Sequence, residues 1–228
     1  ARSGDPLVVD GEAEMKIRWL GHSCIEVVGQ HHILIDPDFY RPPEPGVEFV
    51  FITHGHEDHL GRVAQLTSGL VLASREVCET AHGEGVPYER LYVVRAGDQV
   101  QNVRVLPGYS PTGWLAEQWA RLWQRRHRLP GGTPLSFLID DDLSLLHIGD
   151  GYRAPESVQP DILCLPWRRV PLGNRRYQGR LVALANQLKP RYVIPIHHDI
   201  PPWEADPAGM EGRVEAEVVV PTEWVALP

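Results

Sequence analysis

Seven consecutive residues, Thr53-His54-Gly55-His56-Glu57-Asp58-His59, bring three imidazoles and two carboxylates directly after the apolar run Val47-Glu48-Phe49-Val50-Phe51-Ile52. Donors at that density suit a metal ion. Neutral imidazole and carboxylate are ligands for zinc, manganese and iron, and the lack of a thiolate among them points away from a closed structural zinc site. These residue types predict an open, catalytic centre rather than a solvated polar loop. No Gly-x-Ser-x-Gly sequence offers a competing serine nucleophile.

Such a loop needs strands to hold it. Apolar alternation and turn residues predict strands over Lys16 to Leu20, Cys24 to Val28 and His32 to Asp36, joined by tight turns into an antiparallel meander. In a meander the turn after the first strand and the end of the third lie at one sheet edge, so His22 and Asp36 share that edge. If the buried strand Phe49 to Thr53 delivers its loop there too, Asp36 is placed to orient metal ligands without binding metal itself. Helices are expected over His59 to Ser68, Arg75 to Gly83 and Tyr177 to Leu188. Strands are expected at Val71 to Ala73, Tyr92 to Val94, Val103 to Leu106, Ile162 to Leu165, Tyr192 to Ile196 and Val214 to Val220. Leu135 to Asp140 and Leu143 to Ile148 form a hairpin candidate. Composition and pattern alone support an α/β or α+β class, fitted by two sheets with helices outside.

The loop resembles the His-x-His-x-Asp-His hallmark of the metallo-β-lactamase superfamily, matched by His54, His56, Asp58 and His59. Met15 to Ser23 is similar to the opening of the branch that includes ascorbate-6-phosphate lactonase and N-acyl-phosphatidylethanolamine phospholipase D. Ile33 to Pro37, His147 to Asp150 and Val193 to His197 resemble further motifs in the right order, so the likeness spans residues 15 to 198. It implies an αββα four-layer sandwich, α+β in class, with two mixed sheets flanked by helices. It also implies two adjacent metal positions, holding zinc or alternatively manganese or iron. His54, His56 and a later histidine would hold one ion; Asp58, His59 and His197 the other; Asp150 would bridge. His198 is the lesser candidate, because neighbours on a strand face opposite ways.

One position departs from that pattern. Relatives carry Pro-x-x-His after the strand placed at Val103 to Leu106, where this chain has Pro107-Gly108-Tyr109-Ser110. A hydroxyl is a poor zinc ligand beside imidazole. The chain is then expected to bind one ion at the Asp58 position, to bind two with His22 or His127 as replacement ligand, or to have lost catalysis. Beyond the gap, Trp114, Leu115, Trp119, Leu122 and Trp123 recur at helical spacing with arginines between them. That amphipathic helix is read as a cap over the site, a core element or a subunit interface; exposed, it favours self-association.

The formal charge of −8 argues against a nucleic-acid partner, since phosphate affinity is carried largely by Lys and Arg. Two local clusters differ: Arg121, Arg125, Arg126 and Arg128, and Arg168, Arg169, Arg175, Arg176 and Arg180. Arginine's planar fork suits carboxylate or phosphate, so Arg168, Arg169 and Trp114 are the candidate contacts for a small anionic substrate. Three dispersed cysteines imply no disulfide framework, and with no apolar run long enough for a membrane span and no signal-like segment the expected location is the cytoplasm. Residues 1–14 read as an extension and 15–228 as one hydrolase domain, because the motifs must converge. The expected activity is metal-assisted hydrolysis, with a metal-bound hydroxide oriented by Asp58 and Asp150 attacking a small ester or lactone, phosphorylated or not. The alternatives are a phosphodiesterase acting on a phospholipid, cyclic nucleotide or RNA, and a non-catalytic metal- or ligand-binding protein.

Overall fold

Successive side chains on a strand face opposite ways, so apolar runs such as Ile33-Leu34-Ile35 and Ile162 to Leu165 bury both faces, and a strand so built must sit between two layers. In the computed structural model, which describes residues 14–109, 131–155, 157–170 and 174–228, two seven-stranded sheets satisfy that requirement. The first is built from β1 (Lys16–Gly21), β2 (Cys24–Val28), β3 (His32–Ile35), β4 (Phe49–Phe51), β5 (Leu70–Ala73), β6 (Leu91–Val93) and β14 (Val225–Ala226). Its order is β14-β1-β2-β3-β4-β5-β6. The second contains β7 (Gln99–Val100), β8 (Val103–Pro107), β9 (Leu135–Asp140), β10 (Ser144–His147), β11 (Ile162–Pro166), β12 (Tyr192–Ile196) and β13 (Glu217–Val218). It runs β13-β12-β11-β10-β9-β8-β7.

Between the sheets lie Ile17, Ile25, Val27, Ile33, Ile35 and Phe51 from one side and Phe137, Ile139, Leu145, Ile162 and Ile194 from the other. Phe51 and Phe137 meet across the layers with ring centroids 4.9 Å apart. Each such side chain stabilises the fold by about 1.5–3 kcal/mol through burial. The alternate residues face outward and are covered by helices. Cys24, Leu34 and Val50 pack with Val77, Cys78 and Ala81 of α2 (Arg75–Gly83). Leu146, Leu163 and Val193 pack with Leu181, Leu184 and Leu188 of α3 (Asn174–Leu188). The result is the expected αββα sandwich.

The antiparallel meander forms as read, with β2 paired to β1 and β3 on opposite sides. β4 then runs parallel to β3, so the chain leaves both strands at the same edge, which is the edge of the β1–β2 turn. Two expectations are corrected. The helix expected over 59–68 is instead a single turn, α1 (Glu57–Leu60), followed by a 3-10 turn, Val63–Gln65. The break falls at Gly61, whose φ of +43° lets the chain pass Asp38; a Cβ there would lie 2.4 Å from the Asp38 Cβ. The strand expected over 214–220 shrinks to β13, and the chain closes instead through β14, antiparallel to β1 in the other sheet. Two-residue strands carry too little periodicity to be read from sequence. Residues 1–13, Ser110, Trp114, His127 and the arginines at 121–128 lie outside the described residues.

Candidate metal centre

Asp36 organises the site from beneath. It leaves β3 with φ of +49°, fully buried, and its two oxygens face the chain emerging from β4. Thr53 donates its backbone N–H to Oδ1 at 2.7 Å and its hydroxyl to Oδ2 at 2.8 Å. The His59 ring places Nδ1 2.6 Å from Oδ2, and since a carboxylate only accepts, Nδ1–H is the donor. That fixes the tautomer of the neutral ring, in which Nε2 faces Asp150 Oδ1 at 3.6 Å. Burial opposes the imidazolium of His59, but Asp36 and Asp150 outweigh burial and hold its pKa well above the ordinary value.

His54 is positioned the same way one step along. Its Nδ1 lies 3.1 Å from the Thr53 hydroxyl oxygen, whose own proton goes to Asp36, so Nδ1–H donates and Nε2 is unprotonated. Nε2 sits 2.9 Å from Nδ1 of His56. Burial pushes the His54 pKa down to about 3 and lowers that of His56, so both are neutral at ordinary pH. Neutral imidazole is the form that binds metal.

The second sheet supplies the other half. Asp150 follows β10, and His197 follows β12 with φ of +59°. The His197 backbone N–H donates to the carbonyl of His22 at 2.8 Å, which ties the two sheets together at this edge. Three of the five non-glycine residues with positive φ among the described residues, His22, Asp36 and His197, therefore cluster here, a concentration of backbone strain typical of functional sites. Asp150 Oδ1 lies 3.2 Å from His197 Nε2 and 3.6 Å from His59 Nε2, and its Oδ2 lies 3.9 Å from His54 Nε2. Asp58 Oδ2 is 3.6 Å from His197 Nδ1. Burial lowers the His197 pKa well below the ordinary value; burial would raise that of Asp150, but His197, Arg168 and His59 hold it well below the usual carboxylate range.

Two donor groups result, Asp58/His59/His197 and His54/His56/Asp150, each with donor atoms within 4.8 Å of one another. The residues fit a metal on a further count. Buried polar atoms are normally paired, yet His59 Nε2, Asp150 Oδ1 and both ring nitrogens of His197 are buried with no hydrogen-bond partner among the described residues. His59 Nε2, one ring nitrogen of His197 and Asp150 Oδ1 lie close enough together for one cation to satisfy them. A cavity of about 330 Å³ opens over the centre, lined by the polar His56, Asp58 and Arg168 and by the apolar Pro134, Leu135 and Ile148.

Residues 16–197 match the family described as the Beta-lactamase superfamily domain. The chain belongs to the metallo-β-lactamase superfamily. Within it the chain is one of the UPF0173 metal-dependent hydrolases. The relative from Methanobrevibacter smithii is 31% identical over 218 residues, 85% of this chain and 86% of its own length. That from Methanopyrus kandleri is 28% identical over 222 residues, 88% and 92%. Among solved structures, a metallo hydrolase from Ignicoccus hospitalis is similar with a TM-score of 0.69 at 21% identity, covering 95% of this chain and 99% of its own. The isothiocyanate hydrolase from Delia radicum gut bacteria gives 0.70 at 15% identity, covering 93% and 98%. At those identities the two structures speak for the fold alone.

In this UPF0173 chain the structure brings together His54, His56, Asp58, His59, Asp150 and His197, with Asp36 below them and Arg168 beside them. Arg168 donates from Nη2 to Asp150 Oδ2 at 2.9 Å and places Nη1 3.8 Å from Asp58 Oδ2. Arg169 points elsewhere, exposed, its Nε donating to the Glu204 carbonyl. His198 packs on Trp19 with centroids 4.5 Å apart, outside both donor groups. His22 has both ring nitrogens engaged, Nδ1 with Asp38 and Nε2 with the Tyr40 hydroxyl at 2.6 Å, and joins neither group. His147 received no role from sequence. It is wholly buried, donates from Nε2 to the Ser23 carbonyl at 2.9 Å and accepts at Nδ1 from the Gly149 backbone N–H at 3.3 Å, which ties the turn before Asp150 to the first sheet. Its position at the end of a strand, three residues before Asp150, was the available signal.

Proposed function

We propose that this chain hydrolyses a small anionic ester or lactone, with zinc as the ion held by the donor groups described above. The single observation that carries the reading is the set of buried, unpartnered nitrogen and oxygen atoms of His59, His197 and Asp150 beside a cavity lined by apolar residues and by Arg168. A bound divalent ion supplies Lewis acidity and brings the pKa of a coordinated water toward ~7. The chain's own groups do the rest. Asp58, open to the cavity, and Asp150, held ionised, accept hydrogen bonds from the attacking water and so aim it. Arg168 presents guanidinium N–H groups to the anionic end of the substrate. Pro134, Leu135 and Ile148 give the cavity apolar lining that disfavours bulk water. At about 330 Å³ the cavity is at the small end of ligand sites and fits a small molecule better than a polymer.

The test is a panel of lactones, carboxylic esters bearing a carboxylate or phosphate, and phosphodiesters, assayed with zinc. Turnover of lactones or esters is expected, lost by more than about 100-fold in Asp58→Ala together with metal, beyond what removing a supporting residue does. Undiminished hydrolysis by Asp58→Ala overturns the site, and turnover of phosphodiesters alone overturns the substrate class.

A further inference from the structure

The two donor groups are not equivalent. Among the described residues every unpartnered atom of the centre belongs to one of them or faces it: His59 Nε2, His197 Nδ1 and Nε2, and Asp150 Oδ1. The other group is already satisfied. His56 Nδ1–H donates to His54 Nε2 across 2.9 Å, because His54 has its own ring proton committed to Thr53. Asp150 Oδ2, the oxygen that faces His54, accepts from Arg168 Nη2 at 2.9 Å. The guanidinium cannot give up its charge, and Nη1 reaches toward Asp58 as well.

Arg168 is also held in place. It follows Trp167, which is 1% exposed, donates its backbone N–H to the Ile196 carbonyl at 2.7 Å and its indole N–H to the Asp206 carbonyl at 2.8 Å. The backbone that carries Arg168 is thereby fixed to the strand that delivers His197.

We propose that the chain holds one ion tightly, at Asp58, His59, His197 and Asp150 Oδ1, and that the Arg168 guanidinium stands as a fixed cation where a second ion would otherwise neutralise Asp150. A divalent ion between His54, His56 and Asp150 Oδ2 would have to break the His54–His56 hydrogen bond, displace a charge-assisted hydrogen bond and sit beside a like charge. The consequence for substrate, which rests on the hydrolase reading, is that an anionic group meets arginine N–H donors rather than a second exchangeable ion. Recognition then depends on the planar fork and not on metal supply.

Metal stoichiometry tests this without any substrate. After equilibration with zinc and removal of excess, elemental analysis is expected to give one ion per chain in the wild type and in His56→Ala, and none in Asp58→Ala. In a cobalt titration followed by absorbance, Arg168→Ala is expected to show a second binding event at least about tenfold tighter than any in the wild type, as removal of a neighbouring like charge requires. That event is expected to vanish in Arg168→Ala/His56→Ala and to stay absent in Arg168→Lys, which keeps the charge. Two tight ions in the wild type, no ion, or an Arg168→Ala titration like the wild type's each overturn the proposal. A thermal melt of Arg168→Ala separates lost binding from lost fold. One ion per chain with the expected variants, but no turnover on any substrate, would sink the hydrolase reading and leave the Arg168 assignment standing.

Discussion

Asp36 carries more of the centre than its distance from the cavity suggests. Its oxygens take the Thr53 N–H and hydroxyl and the His59 Nδ1–H, so it sets both the course of the ligand loop and the direction of the His59 lone pair. Asp36→Asn removes the charge and an acceptor at once. Zinc affinity is expected to fall about 10–100-fold, as for other residues that orient ligands; competition with a chelating dye measures it, and unchanged affinity would show that packing alone aims His59. Much at this scale was legible from sequence. The place of Asp36 at the edge followed from the direction of strands in a meander, and the donor groups of the loop from residue types at close spacing. His147 was not, because a histidine is recognised as a support only when its partners, the Ser23 carbonyl and the Gly149 N–H, are known to lie beside it.

Among the elements, the β3–β4 pair and the single-turn α1 decide whether the loop is presented at all. Parallel pairing puts Asp36 and Thr53 at one edge, and α1 turns Asp58 and His59 back toward the second sheet. The turn ends at Gly61, where an added Cβ would meet Asp38 at 2.4–2.7 Å, backbone included. Gly61→Ala is therefore expected to destabilise by about 1–3 kcal/mol from strain at positive φ, read as a lower midpoint in urea melts. β2 depends on a buried ion pair. Glu26, 0% exposed, accepts from Arg18 at 2.6 Å and from His32 at 2.8 Å. Burial raises the Glu26 pKa, but His32 and Arg18 outweigh burial and lower it below 4.5. A carboxylate whose folded pKa is depressed stabilises above its unfolded value and loses that contribution as pH falls through the folded one. Glu26→Gln is expected to cost about 3 kcal/mol near neutrality, with the difference from wild type shrinking as pH drops below 4.5. A difference that does not change with pH would mean that shape, not charge, is what Glu26 contributes.

Across the whole molecule, the donor groups that could hold a metal come from both sheets: Asp58 and His59 follow β4, whereas Asp150 and His197 follow β10 and β12. Metal held there links the two layers and binds only the folded chain. At a hundred times its dissociation constant an ion adds about 2.7 kcal/mol, so chelation is expected to lower Tm by about 5–11 °C for a chain of this size. Calorimetry with and without a chelator checks it, and an unmoved Tm would argue that no ion binds at this junction. Among the described residues no helix is long and apolar enough to cross a membrane. The amino-acid sequence by itself determined what is local: the donor-rich loop, the alternation that makes buried strands, the meander and the spacing of α2. Such features depend on residues a few positions apart, whose geometry the backbone fixes. Only the tertiary structure decided the rest. The break at Gly61 comes from Asp38, a neighbour in space and not in local sequence, and β14 closes the first sheet from the far end of the chain. Which oxygen of Asp150 faces the imidazoles and which is taken by Arg168 is likewise a matter of ångströms between residues far apart in the chain, set when the two sheets pack.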